Sequence, residues 1–199
     1  MRSRNSVDAA GAGLTGRNMS NGMKATVTLH LVSSLDGFIA KKDNSISWMD
    51  SPADAYEKGV TDDGAEVLQS IDCYVLGSRT YEHALQLGWP YGDTPTVVVT
   101  KRKLPSTRKS VEFYSGDLKK LVNEILAPRH TNIWMVGGAM LGQSFLKLGL
   151  VNEIRLMIAP VTLGDGLRLF SDSSNEQRWR LNNVVAYKNG YVDLSYRRE

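Results

Sequence analysis

The fold is decided by one stretch, Trp134-Met135-Val136-Gly137-Gly138-Ala139-Met140-Leu141, in which a strand pattern changes to a helix pattern across two adjacent glycines. The run Ile133–Val136 is apolar and partly β-branched, as expected of a central strand. Large apolar side chains then recur at helical spacing, at Leu141, Phe145 and Leu148. Because Gly149 follows them and suits a helix C-cap, the stretch predicts a buried strand that leads directly into an amphipathic helix.

The glycine pair at this junction gives a ligand close access to the main chain. The first N–H groups of the following helix have no partner within the helix and attract an anion. A cofactor pyrophosphate is the natural anion for such a turn, whereas a tight structural turn without a ligand accounts for the same residues. On this turn alone the two interpretations have equal weight, because short glycine patterns are weak motifs.

A second strand end repeats the design. The apolar run Asp72–Leu76 is followed by Gly77 and Ser78, and Ser78 is predicted to be the N-cap of a helix. Arg79 and Thr80 then fall in the first helical turn. An arginine at that position opposes the helix dipole unless an anion lies nearby, which favours a phosphate at this end.

A third predicted strand is followed by positively charged residues. A short β-branched strand lies within Pro95–Lys103, and three cations follow it, Lys101, Arg102 and Lys103. A solvated surface run is the usual explanation for such charges. In open α/β sheets, however, ligands bind outside the carboxyl ends of the strands, and here three strand ends each carry a group compatible with phosphate.

The rest of the chain alternates strand and helix patterns. Strands are predicted at Thr26–Leu31 and Glu153–Ala159, and the apolar face of Leu118–Leu126 predicts a helix. The C-terminus predicts a hairpin of two alternating runs, Arg180–Lys188 and Tyr191–Arg197, joined by Asn-Gly as a two-residue turn. Parallel βαβ units followed by this hairpin predict a mixed α/β sheet.

Five short motifs occur in an order that resembles a known family. They are Ser33–Ala40, Val75–Glu82, Val99–Arg102, Val136–Ala139 and Ile158–Gly166. Together they resemble the dihydrofolate reductase-like superfamily. Within it the chain is most similar to the C-terminal reductase domain of the bacterial riboflavin-biosynthesis deaminase-reductase and its stand-alone relatives. The resemblance implies an α/β fold with a mixed, mostly parallel sheet flanked by helices and an antiparallel C-terminal hairpin.

The resemblance also implies a dinucleotide cofactor at the three strand ends. The hypothesis assigns the pyrophosphate to the glycine-pair turn and its flanks, Val136, Gly137, Gly138, Ala139, Met140 and Leu141. The adenosine side and its phosphates are assigned to Gly77, Ser78, Arg79 and Thr80. The adenine ribose is assigned to Thr100, Lys101 and Arg102. By resemblance, the nicotinamide is bordered by Ser33, Ile39 and Ala40.

The charge of these turns favours NADPH over NADH. Arg79, Lys101 and Arg102 suit a 2′-phosphate, and no acidic residue lies in the turns to hold a free ribose hydroxyl. We therefore expect loss of NADPH affinity in an Arg79→Ala variant.

Two aspartates, Asp36 and Asp54, are candidates for the catalytic residues. Asp36 lies in the Ser-Leu-Asp-Gly motif beside the predicted nicotinamide pocket, but Asp-Gly is also a turn dipeptide, and the turn role is slightly favoured. Asp54 follows Trp48 in a pattern similar to the tryptophan and Pro-Ala-Asp of dihydrofolate reductases, whose aspartate binds the pterin. Here the spacing is one residue longer, and the helix dipole equally accounts for an aspartate at a helix start.

Composition bounds the domain organisation. The 199 residues are 42% hydrophobic and 23% charged, which suits one globular domain. Residues 1–22 are rich in Gly, Ser, Asn and Ala and are expected to be a disordered or leader segment before a reductase domain over residues 23–199. They hold three arginines against one aspartate, so the net charge of +3 falls to +1 without them and indicates no nucleic-acid partner.

The sequence also argues against other function classes. No apolar run is long enough to span a membrane, and the three histidines and one cysteine give no metal-ligand spacing. Cys73 lies in an apolar strand, where a buried packing role is favoured over a nucleophilic one. A single cysteine also fits a reducing, cytoplasmic compartment.

The sequence therefore predicts a cytoplasmic NADPH-dependent oxidoreductase, similar to the riboflavin-biosynthesis pyrimidine reductase domain. Its partner would be a small-molecule substrate, a nitrogen heterocycle or a related compound. One alternative is a dihydrofolate or pterin reductase, and another is a non-catalytic nucleotide-binding module of the same fold. Relatives of this branch often form homodimers, which leaves a homodimer open for this chain.

Overall fold

The structure, a computed structural model, describes residues 25–49, 69–106, 108–168, 170 and 176–199. Its strands are β1 Thr26–Ser34, β2 Phe38–Ala40, β3 Cys73–Gly77, β4 Thr96–Val99, β5 Val111–Tyr114, β6 Asn132–Gly137, β7 Glu153–Ala159, β8 Leu167–Arg168, β9 Trp179–Ala186 and β10 Val192–Arg198. Its helices are α1 Ser78–Gln86, α2 Leu118–Lys120 with a π-helical continuation over Leu121–Leu126, and α3 Ala139–Lys147.

Eight strands form one sheet in the order β5-β4-β3-β6-β1-β7-β10-β9. The six strands from β5 to β7 are parallel to their neighbours, whereas β10 is antiparallel to both β7 and β9. A second, small antiparallel sheet pairs β2 with β8. The mixed, mostly parallel sheet with an antiparallel C-terminal hairpin confirms the predicted fold class.

The pairing of β1 leaves a gap between β1 and β6 at the carboxyl edge of the sheet. β1 pairs with β6 only over Thr26–Leu29, although it pairs with β7 as far as Ser34. The strands β1 and β6 therefore separate as they approach the edge where all six parallel strands end. The predicted ligand-binding residues lie at this edge.

Helices cover both faces of the sheet. On one face, Phe145 of α3 and Leu126 are fully buried against a core that includes Leu29 and Met135. Gly142 lets α3 lie close to the sheet, because an added Cβ would be 3.3 Å from Leu29 Cδ1. On the other face, Tyr81 and Ala84 of α1 pack in a second cluster, together with Leu76, Trp89 and Val98.

The stretch Trp134–Leu141 folds as predicted, with β6 leading through Gly137 and Gly138 into α3. Gly149 follows the C-cap Leu148 with φ +68°, the conformation expected of a glycine that ends a helix. The hairpin is confirmed, but its two-residue turn is wrong. Tyr187 N–H donates to Tyr191 O, so the connection is the three-residue loop 188–190, with Gly190 at φ +87°.

Some sequence predictions concern residues outside the described ranges, and others can be compared with the structure. The segment 1–22 and Asp54 lie outside the described residues. Within the described residues, no helix could span a membrane, and no group of His, Cys, Asp or Glu side chains is arranged to hold a metal ion. Cys73 is fully buried, which agrees with its predicted packing role.

Candidate functional site

The two glycine turns predicted separately lie side by side in the structure. Leu76 of β3 pairs with Gly137 of β6, so the ends of these strands are neighbours. A Cβ added to Gly77 would lie 3.5 Å from Gly138 N and 3.7 Å from Gly137 O, and one added to Gly138 would lie 3.6 Å from Thr80 Oγ1. These are ordinary contact distances, so a side chain would fill the groove between the turns without a clash. The glycines thus keep a backbone-lined groove open at the sheet edge.

Gly137 shows why glycine is needed in this turn. Its φ is +118°, a conformation that other residues rarely adopt, and its Cβ position lies 3.4 Å from Leu31 Cδ2. The peptide bond between Gly137 and Gly138 is cis.

The amino ends of α1 and α3 both open onto this groove. Their N-caps are Gly77 and Gly138, both extended, and no side chain in the described part of the chain caps either helix. Neither first turn contains an acidic residue. The unpaired N–H groups and the positive ends of two helix dipoles are therefore available to one anion.

One sequence prediction about α1 is wrong. Ser78 is not the N-cap, because Gly77 keeps an extended conformation (φ −85°, ψ 165°) and the helix begins one residue earlier than predicted. The Ser78 hydroxyl is consequently not used to cap the helix. Arg79 and Thr80 do lie in the first turn, as predicted.

The predicted phosphate-binding cations differ in their surroundings. Arg79 is exposed and makes one long hydrogen bond, 3.5 Å from Nη1 to Asn44 Oδ1. Lys101 is exposed, and no ion pair to it is found among the residues that the structure describes. Arg102 instead forms a two-point ion pair with Glu82 of α1, with distances of 2.8 Å and 2.7 Å.

Sequence reasoning missed Glu82, although a signal was available. Glu82 lies three residues after Arg79 and therefore near it on one face of α1. The end of β4 brings Arg102 to this acid, and the Arg102 N–H donates to Thr100 Oγ1 at 3.0 Å, which fixes the loop locally. The hydrogen bond and charge of Arg102 lower the pKa of Glu82. The turns themselves contain no acidic residue, but Glu82 from the second turn of α1 still reaches the predicted phosphate-binding cations.

The predicted nicotinamide end lies at the carboxyl ends of β1 and β7. A cavity of about 300 Å³ opens there, at the lower limit for ligand pockets, and is lined by Ser33, Ser34, Leu35, Gly37, Leu156, Ile158, Arg168 and Phe170. The Arg168 guanidinium lies 5.0 Å from the centre of the Phe38 ring. Phe38 begins β2, which also contains Ile39 and Ala40, and its N–H donates to Ser34 Oγ at 3.0 Å. The structure thus brings β2 to the end of β1, where Ser33 is almost fully buried.

Asp36 fixes a loop in this region. Its carboxylate accepts hydrogen bonds from Ser34 Oγ at 2.5 Å, Leu163 N at 3.1 Å and Gly164 N at 2.7 Å. These hydrogen bonds, that of Ser34 foremost, lower the pKa of Asp36 to about 2. This geometry supports the turn role, because both carboxylate oxygens are already used in hydrogen bonds that hold the loop.

Three other aromatic and polar side chains of the described residues have packing or loop roles. Trp89 is buried beside Tyr81, and its Nε1 donates to Gly92 O at 2.8 Å, as expected of a packed loop. Asp165 shapes its own loop through Gly166 N and an ion pair with Lys42. His30 is partly buried and packs edge-on against Trp134, and the loss of solvent around its ring, together with the charge of Arg155, lowers its pKa to about 3.

Comparison with known proteins identifies the family. Residues 74–192 match the model of the RibD C-terminal domain family. The chain belongs to the RibD C-terminal domain family. A full-length relative is the uncharacterized protein YwjB of Bacillus subtilis (strain 168), which is 32% identical over 176 residues, or 87% of this chain and 98% of the relative.

Solved structures agree with this RibD-type fold. A putative riboflavin biosynthesis protein from Shewanella sp. PV-4 superimposes with a TM-score of 0.73 at 22% identity and covers 87% of this chain and 99% of its own. Dihydrofolate reductase from Enterococcus faecalis, solved in complex with NADP(H), superimposes with a TM-score of 0.63 at 14% identity, over 89% of this chain and 98% of its own. The predicted resemblance to the dihydrofolate reductase-like fold is therefore confirmed.

The RibD C-terminal domain match covers both glycine turns, the three cations and Glu82. The Ser33–Ala40 motif precedes the matched residues, so its link to the site comes from the fold, through the pairing of β1 with β6 and β7.

Proposed function

We propose that this member of the RibD C-terminal domain family is an NADPH-dependent reductase that transfers a hydride to a small nitrogen heterocycle or a related compound. One observation carries the proposal. Two glycine turns from neighbouring strands, each followed by an uncapped helix, face one groove at the carboxyl edge of the sheet. That arrangement is suited to the pyrophosphate of a dinucleotide.

The residues present fit this cofactor. The N–H groups at the start of α3, from Ala139, Met140 and Leu141, would bind the pyrophosphate beside Gly137 and Gly138. Gly77, Ser78 and Thr80 would bind the adenosine side of the same groove. The nicotinamide would lie toward Ser33 and β2, beside the cavity. When bound, the cofactor supplies the hydride, so the protein needs to supply binding, orientation and exclusion of water.

The charge of the site favours the phosphorylated cofactor. Arg79 and Lys101 are exposed, and they follow β3 and β4, two neighbouring strands that end at the same edge. Their positive charges would attract a 2′-phosphate, which NADH lacks. We therefore expect NADPH to bind more tightly than NADH.

The roles of the two aspartates differ in this proposal. Asp36 acts as a positioning residue, because its carboxylate joins the end of β1 to the loop at Leu163 and Gly164. Asp54 stays a predicted substrate-binding residue. A cytoplasmic location and a homodimer likewise stay predictions.

Turnover is the test of this function. Purified protein is mixed with NADPH and, in separate reactions, with dihydrofolate, a dihydropterin and an aminopyrimidine carrying a ribosyl side chain. Loss of NADPH absorbance accompanied by an equal amount of reduced product would support a reductase. Tight NADPH binding without turnover on any of these compounds would favour the nucleotide-binding module instead.

A further inference from the structure

The ion pair between Glu82 and Arg102 lies where the proposed cofactor would carry its 2′-phosphate. Arg102 Nη1 donates to Glu82 Oε2 at 2.8 Å, and Arg102 Nη2 donates to Glu82 Oε1 at 2.7 Å. Both carboxylate oxygens and both terminal guanidinium nitrogens are thus used in one two-point contact. The contact joins α1 to the loop after β4, the two elements assigned to the adenosine end.

This pairing changes the charge available to a phosphate. Arg79, Lys101 and Arg102 would together present three positive charges, but the carboxylate of Glu82 offsets one of them. Glu82 is ionised at neutral pH, and the hydrogen bond and charge of Arg102 lower its pKa further. A 2′-phosphate with a charge of about −1.5 to −2 that approaches Arg102 therefore meets a carboxylate as well.

The two cofactors respond to that carboxylate in opposite ways. A phosphate is repelled by it, or must displace it from Arg102 to gain a two-point contact of its own. A ribose hydroxyl, in contrast, can donate a hydrogen bond to a carboxylate, which is how acidic residues hold the ribose of NADH. The same side chain thus weakens one ligand and accommodates the other.

We infer that Glu82 is a specificity-determining residue that holds Arg102 in an ion pair and narrows the preference of this site for NADPH over NADH. The inference rests on the proposed function, since it needs the dinucleotide in the groove. It leaves Arg79 and Lys101 as the residues that select the 2′-phosphate. Glu82 then sets how strong that selection is.

The test is calorimetric titration of the whole protein with NADPH and with NADH, for the wild type and for Glu82→Gln. The variant keeps the shape of the side chain and removes its charge. We expect the ratio of the NADH and NADPH dissociation constants to rise about three- to fivefold, the size expected for one partly exposed charge contact. Adding salt should reduce this gain, because the contact is exposed.

Two further variants keep the test decisive. Arg102→Gln leaves Glu82 without its partner, so NADPH should bind more weakly than in the wild type while NADH changes little. Glu153→Gln is the matched control. Glu153 forms a surface pair with Arg197 at 2.8 Å, but it lies at the start of β7, at the opposite edge of the sheet. Glu153→Gln should leave both dissociation constants unchanged, and thermal melting confirms that each variant is folded.

Each remaining outcome counts against a defined claim. If the wild type binds neither nucleotide, the proposed function fails and the inference fails with it. If both nucleotides bind but Glu82→Gln leaves their ratio unchanged, only the inference fails. If the ratio falls instead, Glu82 aids phosphate binding by orienting Arg102, and the inference is overturned.

Discussion

The carboxylate of Asp36 accepts a 2.7 Å hydrogen bond from the main-chain N–H of Gly164, 128 residues further along the chain. The contact joins the turn after β1 to the loop after β7. The Ser-Leu-Asp-Gly and Gly-Asp-Gly motifs, which lie far apart in the sequence, are therefore one structural unit beside the predicted nicotinamide end.

Replacing Asp36 with Asn should lower the melting temperature at pH 7, because the amide nitrogen cannot accept the hydrogen bonds that the carboxylate accepts. The pKa of Asp36 is lowered to about 2, so its stabilising effect is present above pH ~4 and is lost as the pH falls toward 2. The gap in melting temperature between wild type and Asp36→Asn should therefore narrow between about pH 4 and pH 2. Asp93→Asn, a change at an exposed turn, serves as the control. A gap that does not depend on pH would contradict this role.

Gly77→Ala should separate folding from cofactor binding. The backbone of Gly77 (φ −85°) accepts alanine, and the new methyl group would make only ordinary contacts with Gly138 and Gly137. It would, however, occupy the groove, so NADPH affinity should fall by about tenfold or more while the melting temperature changes little. Gly142→Ala is the contrasting variant. Its methyl group would press on Leu29 at 3.3 Å, which costs about 1–3 kcal/mol, while alanine gains about 1 kcal/mol over glycine inside a helix. Any net effect of Gly142→Ala should therefore fall on stability and leave NADPH binding unchanged. If Gly77→Ala binds NADPH as tightly as the wild type does, the groove is not part of the cofactor site.

Arg79→Gln should weaken NADPH binding by about tenfold and NADH binding much less, because only NADPH carries the 2′-phosphate. Helix α1 should not lose stability, since an arginine in the first turn opposes the helix dipole. Titrations with both nucleotides measure the effect. Lys109→Gln, which removes an exposed cation in the turn before β5, is the control for net charge. Equal weakening of both nucleotides would show that Arg79 does not contact the 2′-phosphate.

Cys73 should be unreactive in the folded protein. It is fully buried in β3, and burial raises its pKa to about 12, so at pH 8 only about one part in ten thousand is thiolate. Iodoacetamide at pH 8 should therefore leave the native mass unchanged and add one label after denaturation. Labelling of the native protein at the rate of the denatured protein would show that β3 opens readily.

Local patterns in the sequence predicted most of the fold. The apolar run before Gly137 and the helical spacing after Gly138 gave β6 and α3, and the alternating runs near the C-terminus gave the hairpin. These features depend on residues close in sequence, for which periodicity and turn chemistry are informative. The predicted start of α1 was wrong by one residue because both Gly77 and Ser78 are good N-cap residues. In the structure β3 ends at Gly77, so Gly77 is the N-cap and the helix starts at Ser78.

The contacts that define the site are of a different kind. Asp36 reaches Gly164, and Glu82 reaches Arg102, across long or topologically distant connections. No sequence period encodes such pairs, since they depend on the order of strands in the sheet. Glycines and cations at three strand ends could therefore predict that a site exists, but not which acid would pair with which cation.

The most direct test of the central claim is calorimetric titration of the wild-type protein with NADPH and NADH under identical buffer conditions. A groove built from two glycine turns and two open helix ends predicts micromolar binding of NADPH and clearly weaker binding of NADH. Absence of binding by both nucleotides would contradict the proposed cofactor site and leave the strand-end turns with a structural role only.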